Sequence, residues 1–181
     1  MEQSHGERLR GQIEEAYGKL LYTYQTQQEA ASLKFDIANR LSIAQIVLTS
    51  LSACGVIAVF FGEAAIGVGL SSMLSAVSLA INLYTRGARL AEGAERHARC
   101  ADRLWAVVQD YISLLTDFED LDIEEIRARR NGLQAEQVKI YREAPRTNEE
   151  AYVRASEKLK GGHQIFELDE INKLMPRHLR E

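Results

Sequence analysis

Residues 41–85 hold a single charged side chain, Glu63, although the chain carries 22 Lys and Arg and 26 Asp and Glu. On either side of Glu63 lie two charge-free runs, Leu41–Gly62 and Ala64–Thr85. A helix needs about 20 mostly apolar residues to cross ~30 Å of hydrocarbon, and each run has that length. The link Gly62-Glu63-Ala64 is too short to cross anything, so the two helices are expected to be antiparallel neighbours. The competing arrangement, a hairpin buried in a soluble core, fails on supply. The rest of the sequence has too few apolar residues to wrap two such helices on every side. The overall averages, 46% hydrophobic residues and a mean hydropathy of -0.23, conceal this because they blend two unlike regions.

Positive charge gives the expected orientation. Lys34 and Arg40 precede the first run, and Arg86, Arg89, Arg96, Arg99 and Arg103 follow the second, while the tip has neither Lys nor Arg. Both termini are therefore expected in the cytoplasm, with Glu63 outside. Phe60, Phe61 and Tyr84 fall at the ends of the runs, where aromatic belts form. Met1–Arg10 is polar and lacks the apolar core of a signal peptide, so membrane entry is expected to come from the hairpin itself.

Each run carries one uncharged polar stripe. Ser42, Gln45, Thr49 and Ser52 share a face of the first helix, and Ser71, Ser75, Ser78 and Asn82 share a face of the second, by their three- and four-residue spacing. Gly67 and Thr85 extend the second stripe. Such stripes support two readings. They can pack helices, since small residues allow close approach and hydroxyls bond across the contact. They can also line a water-filled path once several hairpins assemble, because two helices alone enclose nothing. Neither run contains an ionisable residue, which argues against a pump or coupled transporter.

The flanking sequence is expected to be helical and cytoplasmic. Leu9, Ile13, Tyr17, Leu20 and Tyr24 recur at helical steps within residues 1–40. After the hairpin, residues 86–181 begin with a second stripe of His97, Cys100, Leu104, Val108, Tyr111 and Leu115, widened by Trp105 and Ile112. Gly87 and Gly93 weaken this helix without forbidding it. Asp117–Glu125 reads as a turn and helix start capped by Asp122. The next helix runs through Ile126, Leu133, Val138 and Tyr141, with Gly132 a potential interruption, and Pro145 ends it. Thr147 and Glu150 form a capping box for a helix to about Lys160, closed by Gly161-Gly162. Leu168–Met175 is expected as a last short helix before Pro176.

The fold class is thus all-α: a two-helix transmembrane hairpin continuing into a cytoplasmic antiparallel helical bundle with a short helical C-terminal tail. No catalytic, cofactor-binding or metal-binding residues are expected. There is no phosphate-binding glycine loop and no nucleophile elbow. His97 and Cys100 share a helical face, but two ligands do not make a zinc site. Cys54 and Cys100 suggest no disulfide framework. A net charge of -4 gives no nucleic-acid footprint.

Several segments, in their order and spacing, resemble the SLATT domains, two-transmembrane effectors associated with bacterial nucleotide-signalling conflict systems. These are Leu9-Arg10-x-x-Ile13 with Tyr17, Cys100-Ala-Asp-Arg-Leu-Trp105 with Tyr111-x-x-Leu114-Leu115, and Ile140-Tyr141-x-x-x-Pro145-x-Thr147. The most specific is the tail, Phe166-x-x-x-Glu170-Ile171-Asn172-x-Leu174-x-Pro176-x-x-Leu179. The resemblance covers nearly the whole chain and implies one SLATT-like domain in which residues 86–181 pack with 1–40. It further implies a multi-pass effector of the bacterial inner membrane in antiviral defence, which oligomerises to form a pore and kills or arrests the cell. The implied partners are the lipid bilayer, further copies of the chain and a separate nucleotide-signalling sensor. The alternative is a membrane-anchored helical scaffold for a cytoplasmic partner.

Overall fold

The computed structural model describes the backbone of residues 5–60 and 64–162, and the side chains of residues 5–54 and 68–162. Phe61, the tip residues 62–63 and the tail motif from Phe166 onward, with its expected helix at Leu168–Met175, lie outside the described residues. Among those described, all regular structure is α-helical: α1 His5–Phe60, α2 Ala64–Ala88, α3 Leu90–Thr116, α4 Ile123–Glu143 and α5 Glu149–Lys160. The chain divides into two compact units, Met1–Glu29 with Arg99–Glu181, and Ala30–Ala98.

The first unit is a helical bundle built on the apolar stripe of α1. Leu9, Ile13 and Leu20 pack with Cys100, Leu104, Val107, Val108, Tyr111 and Leu114 of α3, with Phe118, and with Ile126 and Ile140 of α4. Burying each large apolar side chain contributes about 1.5–3 kcal/mol, so these residues set the bundle. The stripe on α3 is rotated slightly from the expected one. Leu114 is buried where Leu115 was expected, Val107 joins the core, and Trp105 and Ile112 are exposed. Trp105 instead covers the Tyr24 ring, with centroids 5.0 Å apart. On α4, Ile126 and Ile140 are buried, while Val138 and Tyr141 face outward. Gly132 does not interrupt α4, which runs unbroken from Ile123 to Glu143.

Helix ends follow local chemistry. The Asp122 carboxylate accepts the Glu125 N–H at 2.8 Å, so the acidic cluster starts α4 as expected. Ala144, placed before Pro145, takes the extended conformation that proline imposes on its predecessor. The cap of α5 differs from the expected Thr147: Asn148 caps it, its side-chain oxygen accepting the Ala151 N–H at 3.0 Å. Asparagine matches or exceeds threonine as an N-cap, and here it moves the start by one residue. Gly162 has φ 70, and its N–H donates to the Leu159 carbonyl, closing the helix in the left-handed conformation glycine favours.

In the second unit, α1 from Ala30 runs antiparallel to α2 and the start of α3. The contacts Thr49–Ser78, Ser52–Ser75 and Lys34–Gly93 fall in one common register. Gly93 makes the last possible, since a Cβ there would stand 3.2 Å from Lys34 Cδ. The break between α2 and α3 falls at Arg89, with φ 44, and not at Gly87. A left-handed non-glycine residue is uncommon. Here it is followed directly by the α3 turn in which Gly93 N–H donates to the Arg89 carbonyl at 2.8 Å.

Candidate functional site

The hairpin presents apolar side chains outward and turns hydroxyls of its two stripes toward each other. Ile43, Ile46, Val47, Leu51, Val68, Leu70, Met73, Val77, Leu79 and Leu83 are all exposed. Within the most apolar windows of the two long helices, only 0% and 6% of residues are buried. A water-soluble surface rarely carries so continuous an apolar patch, whereas hydrocarbon requires one. These helices are long and apolar enough to cross a membrane. The twenty residues from 41 to 60 would cover ~30 Å as α-helix. At the belt positions, Tyr84 is exposed.

The two stripes meet along the inner face of this hairpin. Ser52 Oγ lies 2.9 Å from Ser75 Oγ and 3.2 Å from the Ser71 carbonyl. Ser71 Oγ answers by donating to the Ser52 carbonyl at 3.3 Å. Each hydroxyl has one proton. When Ser52 gives its own to the Ser71 carbonyl, the Ser75 hydroxyl supplies the proton of the Ser52–Ser75 bond. One turn away, Thr49 Oγ1 donates to its own helix at the Gln45 carbonyl, 2.8 Å, and lies 3.4 Å from Ser78 Oγ. Five of the eight stripe residues are therefore brought together: Thr49, Ser52, Ser71, Ser75 and Ser78. Ser71 is the buried member. The side chains of Ser42, Gln45 and Asn82 make no hydrogen bond among the described residues. Ser42 is exposed and the other two are half-buried, with Asn82 offering its carbonyl to Thr85 at 3.0 Å.

A second polar feature escaped the periodicity argument. Gln25, Thr26, Gln27 and Glu29 are all buried in the first unit. The Glu29 carboxylate accepts from Gln25 Nε2 at 2.8 Å and pairs with Lys158 of α5 at 2.7 Å. Gln27 donates to the Pro145 carbonyl at 3.1 Å, and Thr26 donates back to the Tyr22 carbonyl. Ala151 and Ala155 are fully buried, so α5 presents small residues on its inner face. Reading only apolar residues at helical spacing passed over this cluster. The signal that could have found it is an uninterrupted polar run lying in line with an apolar stripe.

Titratable groups near the core are disfavoured in their charged forms. His97 is buried, and burial, reinforced by the Lys34 and Arg96 charges, holds its imidazole below the usual range. Burial pushes the Cys100 thiol up, against a smaller opposing pull from Arg103. No group of three or more His, Cys, Asp or Glu able to hold a metal is found among the described residues.

An all-helical protein whose one long hairpin is dressed for hydrocarbon and zipped by hydroxyls is a two-helix membrane hairpin protein. The particular family follows from the sequence match: residues 9–170 match the model of the SMODS and SLOG-associating 2TM effector domain family 4, and the chain belongs to that family. Membership makes it a membrane effector of conflict systems, of a family that associates with SMODS and SLOG systems. Neither a curated protein nor a solved structure gives a match.

Proposed function

We propose that the chain oligomerises in the bacterial inner membrane, both termini cytoplasmic, and opens a water-filled path that kills or arrests an infected cell. The observation that carries this reading is the hydroxyl seam. It is polar without being charged, so it can line a poorly selective path but supplies no ion-coupling group. It is also weakly closed. Hydrogen bonds between membrane helices average about 0.6 kcal/mol each. Exchange of the Ser52–Ser75 and Thr49–Ser78 contacts for bonds to water or to neighbouring hairpins therefore costs little. In this reading the closed seam is the resting arrangement, and a separate nucleotide-signalling sensor supplies the trigger, since the chain has no phosphate-binding loop of its own.

The test is membrane potential in bacteria after activation, comparing the native chain with Ser75→Leu, Ser78→Leu and Asn82→Leu combined. Depolarisation that the triple variant loses, while still inserting and assembling, supports the pore. Full depolarisation by an inserted, assembled triple variant sinks the assignment of the second-span stripe.

One observation favours a second reading, a membrane-anchored scaffold: five seam residues already satisfy one another within a single hairpin. Under that reading, replacing seam hydroxyls leaves activity intact, while changes at exposed Trp105 abolish it. Ion conduction by the purified assembly in liposomes would count decisively against the scaffold.

A further inference from the structure

We propose that the open end of the hairpin is a contact zone for the phosphate headgroups of anionic phospholipids, carried by Arg40, Arg86 and Arg89 at one depth along the two helices. This rests on the reading that the hairpin spans a bilayer. Apart from Glu63 at the opposite end, these are the only charged residues from 37 to 91. The common register of Thr49–Ser78, Ser52–Ser75 and Lys34–Gly93 places Arg40 across from Gly87, and so at the level of Arg86. Arg89 follows within one turn. All three side chains are exposed. Arg40 and Arg86 have no acidic partner among the described residues, and Arg89 has only a 3.7 Å approach to Glu92. The nearest other carboxylates, Asp36 and Glu95, lie further from the tip.

These arginines stand where the charge-free runs end, the depth at which lipid phosphates lie. Exposed apolar side chains flank them on both helices: Phe35 and Ile37 on α1, Leu83 and Tyr84 on α2. Aromatic and aliphatic groups interleaved with arginine suit the boundary between acyl chain and headgroup. Guanidinium groups bind phosphate through paired N–H donors. The left-handed Arg89 ends α2 there, and the chain turns into α3 with that side chain 71% exposed.

The experiment uses the full chain reconstituted in phosphatidylcholine bilayers with trace spin-labelled phosphatidylglycerol or phosphatidylcholine, reading the motionally restricted lipid fraction by electron paramagnetic resonance. The expected result is a preference for phosphatidylglycerol that falls about fivefold per arginine removed. Arg40→Gln with Arg86→Gln should abolish most of it, and Arg40→Lys with Arg86→Lys should retain part. Arg142→Gln with Arg146→Gln, an equal charge change at exposed positions of the other unit, should leave it unchanged. Millimolar glycerol phosphate should not displace the labelled lipid; displacement would assign the site to free phosphate and overturn the lipid as occupant. Absence of preference in the native chain, or equal loss in both glutamine pairs, overturns the site itself. Alkaline extraction separates the two failures. A chain that resists extraction but shows no preference retains the spanning reading without the lipid site, whereas an extracted chain loses both.

Discussion

Ser52 and Ser75 hold their hydroxyl oxygens 2.9 Å apart across the hairpin, with Ser52 also reaching the Ser71 carbonyl of the same facing helix. Removing either hydroxyl should cost little in a bilayer, and removing both should cost less than the sum. Ser52→Ala and Ser75→Ala are each expected to lower hairpin stability by about 0.5 kcal/mol, with a coupling energy of similar size. A double-mutant cycle by steric trapping or detergent unfolding measures this. Strict additivity would show that the two hydroxyls do not bond in the folded hairpin.

Lys158 is half exposed, whereas its partner Glu29 is buried. Taking away the lysine leaves a buried carboxylate held by the Gln25 amide. Lys158→Met should therefore destabilise the first unit by about 1 kcal/mol, less than a fully buried pair would. Glu29→Gln together with Lys158→Met should recover part of that loss. Denaturant midpoints of the single and double variants report it, and a double variant no better than Lys158→Met alone would exclude charge burial as the cause.

Tyr111 is fully buried, and its hydroxyl has no hydrogen-bond partner among the described residues. An unsatisfied buried hydroxyl costs about 1–3 kcal/mol. Tyr111→Phe should consequently be neutral or stabilising by up to about 1 kcal/mol, whereas Tyr111→Ala should cost about 3–5 kcal/mol by opening the core. Thermal unfolding in micelles compares the three chains. A clear loss in Tyr111→Phe would mean that the hydroxyl does find a partner in solution.

His97 should make stability fall with acid. Its folded pKa lies below that of the unfolded chain, first because of burial and then because of Lys34 and Arg96. Below about pH 6.5 the unfolded state takes up a proton that the folded state resists. The unfolded chain then binds more protons, so the contribution is complete above that pH and is lost as pH falls toward the folded pKa. The expected result is a lower unfolding midpoint at pH 5.5 than at pH 7.5, with a shallower dependence in His97→Gln. An equal slope in that variant would assign the effect to other groups.

Much of the architecture could be read from the chain because hydrocarbon is an unforgiving solvent. Two charge-free runs of spanning length admit few alternatives, and proline and paired glycines stop helices wherever they stand. Helical spacing puts the stripe residues on shared faces, but spacing within one helix says nothing about what stands opposite. Only the antiparallel register reveals that Ser52 meets Ser71 and Ser75, while the Ser42 hydroxyl makes no hydrogen bond across the hairpin among the described residues. Burial on α3 was misjudged by one position, Leu115 for Leu114, because both lie near the stripe and the packed partner decides between them. The cap at Asn148 was displaced from Thr147 because both residues are competent caps at adjacent positions. Gln25–Glu29 was invisible to a search for apolar periodicity, since its burial is compensated by hydrogen bonds and an ion pair.

The left-handed joint at Arg89 also bears on how sequences of this kind can drift. Each residue added to a helix turns everything beyond it by about 100°. An insertion in α1 between Arg40 and Thr49 would swing Thr49 and Ser52 away from their partners, and no joint in that helix could absorb the turn. The same insertion beside Arg89 would fall in a segment already outside regular helix, leaving the hydroxyls of α2 in place. Relatives should therefore vary in length at the α2–α3 joint and hold the first helix to a fixed count.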